Sequence, residues 1–131
     1  MLALVMMCPL VLAPPKQLSR EQARQLVLKA LEAQRYPIES PKFTLLDNEA
    51  IEKEYFPDFY FFESYYDTET RLAATGHWAV NKKTADVWEW MLCRKLRLRT
   101  IEPLQASLRK ELRLSRVGYT RLSAIAPCRK Q

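Results

Sequence analysis

Between Arg20 and Arg35 the apolar residues Ala23, Leu26, Val27, Ala30 and Leu31 recur at intervals of three and four. That is the spacing of one helical face, so the pattern predicts an amphipathic helix. Ser19-Arg-Glu-Gln22 supplies a capping box, and Pro37 forbids unbroken continuation. The period then changes. Lys42 to Asp47 (KFTLLD) is a short strand candidate, and Ala50 to Tyr55 fits either a helical turn or a strand. Phe59 to Tyr66 (FYFFESYY) predicts a strand with Phe59, Phe61 and Tyr65 on one face and Tyr60, Phe62 and Tyr66 on the other. Aromatics on both faces mean that neither side is freely washed by water.

The stretch Arg71 to Leu96 organises the rest as a β-hairpin. Leu72, Ala74, Trp78 and Val80 alternate with Ala73, Thr75, His77 and Ala79 on the first arm. On the return arm Val87, Glu89, Met91 and Cys93 alternate with Trp88, Trp90 and Leu92. Pairing Val80 with Val87 sets His77 opposite Trp90, whereas a bulge sets Trp78 there; the sequence leaves both registers open. In the connection Asn81 to Asp86, Asn81 and Thr84 can accept from backbone groups two residues on. Ala85 fills a slot that calls for a left-handed backbone, at a cost of about 1 kcal/mol.

Val80-Asn-Lys-Lys-Thr-Ala-Asp-Val-Trp88 resembles the hairpin of PepSY-type and related cystatin-like exported bacterial domains, which carry glycine where Ala85 stands. The resemblance implies a small non-enzymatic α+β domain, an inhibitor or binding module; some related exported proteins confer immunity against toxins of rival bacteria. The shared residues are turn and core positions, so no binding residue carries over.

Downstream, Arg94 to Arg99 (RKLRLR) alternates basic and apolar residues like a charged edge strand. Pro103 suits a first helical turn, and Leu104, Leu108 and Leu112 form the seam of a second helix to about Leu114, with Arg109, Lys110 and Arg113 on its wet side. Gly118 is expected beyond its end, followed by an extended tail with Ile125 docked. The fold class expected is α+β: an N-terminal helix on an antiparallel sheet of about four strands, with a second, C-terminal helix.

Composition adds the compartment. The 131 residues suit one domain. Met1 to Ala13 is apolar and uncharged, too short as a helix (about 20 Å) for a bilayer core of roughly 30 Å. It reads as a truncated export signal, with a cytosolic N-terminal strand or an uncleaved anchor as the alternatives; its removal leaves residues 14–131 as a single periplasmic or secreted domain without a transmembrane helix. Removing it leaves Cys93 and Cys128, an even count that favours a disulfide over two free thiols. Two glycines, Gly76 and Gly118, exclude a phosphate-cradling loop.

Charge is uneven along the chain. Glu39 to Thr70 carries nine acidic and two basic residues; Arg94 to Gln131 carries eleven basic and two acidic. The expected partner is a protein with an acidic surface, met by Trp78, Trp88, Trp90 and Tyr65 as anchors and Arg94, Arg97 and Arg99 as steering charges. A cytosolic module binding nucleic acid or another anionic surface is the alternative. No cofactor or metal site is expected, since one histidine and two cysteines lack chelating spacing. Nor is catalysis: His77 and Cys93 face apart in the simple register, and Glu63 with Glu89 has nothing to fix a separation.

Overall fold

The computed structural model describes residues 16–128; the expected export signal lies outside them. Helix α1 (Arg20–Ala33) begins at the capping box read from the sequence: the Ser19 hydroxyl accepts from Gln22 N at 3.1 Å, and Ser19 N donates to Gln22 Oε1 at 2.9 Å. Its five expected apolar residues are all buried. Arg35, at φ 65°, ends it in a left-handed cap, with Arg35 N bonded to Glu32 O and Tyr36 N to Leu31 O.

Strands β1 (Phe43–Asp47), β2 (Phe59–Asp67), β3 (Leu72–Asn81), β4 (Val87–Glu89) and β5 (Arg94–Lys95) form an antiparallel meander in sequence order. The sheet thus has five strands where about four were expected, the fifth only two residues long. The ambiguous segment after β1 is helical, α2 (Glu49–Glu54), capped by Asn48. Helices α3 (Glu102–Glu111) and α4 (Arg116–Ser123) complete the described elements.

The faces of β2 divide as its alternation predicts. Tyr60 and Phe62 join Trp78, Val80 and Val87 beneath α1, with Leu96, Ile101 and Leu108 from the C-terminal half. Phe59 and Phe61 join Ala79 and Trp88 on the opposite face, covered by Ile51, Phe56, Trp90 and Ala126. A bulge opposite Ser64 leaves Thr75 without a strand partner, because Ser64 pairs with Gly76 and Tyr65 with Ala74. Gly76 is required there: a Cβ would fall 2.4 Å from the Trp78 ring. Ser64 Oγ accepts from Trp78 Nε1 at 3.0 Å and from the Thr75 hydroxyl at 2.8 Å, so the bulge satisfies the buried indole.

Three expectations are corrected. The return arm does not run to Cys93: β4 stops at Glu89, and Trp90–Leu92 is a 3-10 turn ending on Cys93 at φ 50°. The C-terminal stretch is not an extended tail, since Gly118 lies inside α4, and Ile125 is exposed rather than docked. Arg109 does not face solvent but turns inward, onto the hairpin connection.

Candidate protein-docking surface

The hairpin connection is the rigid centre from which the surface is built. Val80 pairs with Val87, so the simple register is the one adopted. Asn81 Oδ1 accepts from Lys83 N at 2.8 Å and Thr84 N at 3.0 Å, and Ala85 takes the left-handed conformation at φ 62°. Helix α3 satisfies the turn's carbonyls: Gln105 Nε2 donates to Ala85 O at 2.9 Å and Arg109 Nε to Thr84 O at 2.6 Å. Asp86, 3% exposed, ties the elements together. Its Oδ1 accepts from Arg109 Nη2 at 3.0 Å and the Tyr119 hydroxyl at 3.1 Å, and its Oδ2 from the Thr84 hydroxyl at 3.0 Å. Lys95 Nζ lies 3.4 Å from Oδ2 and also donates to Ser123 O. Burial, then the Asp86 charge, raises the Tyr119 phenol above its ordinary value.

The expected anchors divide by depth. Trp78 is fully enclosed and Trp88 is 8% exposed. Neither offers a surface to a partner, because α1 covers one face of the sheet and α2 with the C-terminal segment covers much of the other. Trp78, Trp88 and Tyr60 are therefore core. Trp90 and Tyr65 are half-buried, and Arg94, Arg97 and Arg99 are exposed. Arg94 bonds Glu89, whereas Arg97 lines a polar cleft of about 480 Å³ with Lys95, Arg109 and Tyr119.

Other candidate chemistry is dispersed. His77 stacks edge-on against Trp90 at 5.8 Å between ring centres, and its Nδ1 stands 3.6 Å from Glu63 Oε1, too far for a hydrogen bond. Glu63 pairs with His77 and Glu89 with Trp78, neighbours pointing to opposite faces, so the two carboxylates do not converge. Cys93 is bridged to Cys128, with Cα atoms 5.7 Å apart, which removes a thiol nucleophile. Among the described residues no group of three or more His, Cys, Asp or Glu is placed to hold a metal.

The Glu63 carboxyl is held below the usual carboxylate range, first by the Tyr65 hydroxyl and then by the Asn48 amide, against partial desolvation. A depressed folded pKa adds stability above the unfolded value and loses it as pH falls through the folded one. Glu63→Gln should therefore cost most, about 1 kcal/mol, at neutral pH, and the cost should shrink as pH falls through the depressed folded value. Urea denaturation of both proteins along an acid pH series checks this; a gap that stays constant with pH would contradict it.

Apart from the polar cleft, the described surface carries an apolar hollow, of which the sequence reading named only Trp90 as a partner contact. Ile51, Tyr55, Phe56, Trp90, Met91 and Cys128 line a hollow of about 350 Å³. Met91 and Leu92, 62% and 65% exposed, stand on its 3-10 turn. The available signal was two large apolar neighbours just before a cysteine and a basic run. Strand order also turns the charge asymmetry into a spatial one: the acidic stretch occupies β1, α2 and β2, the basic stretch the opposite edge from β5 onward.

No family model matches the chain, and no curated protein does. Among solved structures it is similar to a chain from a type VI secretion system effector–immunity complex of Pseudomonas protegens. The TM-score is 0.69 at 26% identity, covering 82% of this chain and 88% of that one. Among the described residues no helix is long and apolar enough to cross a membrane.

Proposed function

We propose that this chain is the immunity member of an effector–immunity pair: an exported, non-enzymatic protein that binds a toxin and occludes it. The observation that carries the reading is the structural likeness to a chain of such a complex, over most of both chains. The Cys93–Cys128 bridge suits an oxidising compartment, and so favours export over the cytosolic nucleic-acid reading. The basic edge from β5 onward fits steering of an acidic partner. Two buried carboxylates are spent on structure, Asp86 paired with Arg109 and Glu52 with Arg20, and both described cysteines are bridged.

Competition between strains tests the proposal. A source strain lacking the gene, grown beside its type VI-competent parent, should be killed. It should survive beside a secretion-inactive parent, and be rescued by envelope-targeted expression of this chain. Equal survival beside both parents contradicts the reading. Killing of the host by the chain expressed alone would place it on the effector side instead.

A further inference from the structure

Resting on that reading, we infer that the disulfide-pinned turn Trp90–Cys93 is the anchor of the complex. It seats Met91 and Leu92 in an apolar pocket of the effector whose rim carries carboxylates.

Two side chains more than 60% exposed, Met91 and Leu92, sit side by side on one short turn. Large apolar groups left in water next to a hollow mark a contact surface when they cluster. These are also held still. Cys93 N donates to Trp90 O at 3.0 Å, Cys93 takes a left-handed backbone at φ 50°, and its sulfur is bonded to Cys128. Trp90 beneath them packs edge-on against Phe61 at 5.5 Å. With the backbone of the knob already pinned, docking orders only the side chains, which lowers the entropic cost of binding.

The partner's chemistry follows from the turn's place in the fold. It joins β4 to β5, at the basic edge of the sheet, with Arg94 two residues from Leu92. From Arg94 to Cys128 nine basic residues stand against two acidic ones. A pocket lined by aliphatic or aromatic side chains and rimmed by Asp or Glu complements that surface; a basic rim would be repelled.

The test complements the deletion strain with variants in the same competition. Met91→Glu/Leu92→Glu should lower protection by at least about tenfold, as expected for removal of a hot spot. Leu72→Glu, at an exposed apolar site on the far hairpin of β2 and β3, should protect like wild type. Circular dichroism and thermal melting of the purified proteins confirm folding, and Met91→Ser/Leu92→Ser replaces the charged pair if that pair melts early. Arg97→Glu/Arg99→Glu should also weaken protection. If wild type protects and the Met91/Leu92 variants protect equally, the anchor is wrong while the immunity reading stands. If the arginine reversals leave protection unchanged, the acidic rim is wrong. Failure of wild type itself overturns both.

Discussion

Replacing Asp86 with alanine is expected to lower stability by about 3 kcal/mol, read as a shift in the urea midpoint. The carboxylate is almost wholly enclosed and serves Arg109, Tyr119, Thr84 and Lys95 together. Its removal leaves two partly desolvated cations without a counter-charge, and that penalty exceeds the worth of the lost hydrogen bonds alone. The damage should be directional. Helix α4 has no buried residue and is tied to this region by Tyr119 on Asp86 and Lys95 on Ser123 O. Amides of α4 should therefore lose exchange protection before those of β2 and β3. Asp86→Asn, keeping shape but not charge, should fall between. A neutral Asp86→Ala would mean that the connection is held by Asn81, Gln105 and the Arg109–Thr84 bond alone.

Opening the Cys93–Cys128 bridge should cost about 3–4 kcal/mol in the chain-entropy model, given a sequence separation of 35. Cys128→Ser, or reduction of the native protein, should lower the melting temperature. The segment that covers part of the second sheet face, through Ala126, should then become protease-sensitive. The core under α1 should stay intact, since none of its buried side chains comes from beyond Leu108. An unchanged melting temperature after verified reduction would contradict this.

Much of this fold was legible because its local signals agree with its packing. The Ser19–Gln22 box, the Ala23-to-Leu31 face, the split of Phe59 and Phe61 from Tyr60 and Phe62, and Ala85 in the left-handed slot all rest on short-range rules. The misreadings have long-range causes. Trp88, Trp90 and Leu92 alternate like a strand, and nothing nearby reveals that Cys93 turns the backbone to reach Cys128. Gly118 reads as a helix stop, yet Ser115 caps a new helix through Gly118 N at 3.0 Å. Arg109 looks solvent-facing until the Thr84 carbonyl and Asp86 carboxylate it serves are in place. The aromatic surplus suggested an open face because the cover from α2 and the C-terminal segment is tertiary. Of the proposed docking surface the sequence reading named Trp90 and the arginines but not Met91 and Leu92, which are exposed only because the strand ends early.

The measurement closest to the central claim is complex formation in solution. Effectors recovered from the type VI secretome of the source strain, mixed with the oxidised chain, should yield a discrete complex by size exclusion with light scattering. Its association rate should fall as salt rises. A secretome that kills the deletion strain but leaves this chain eluting alone would contradict the account.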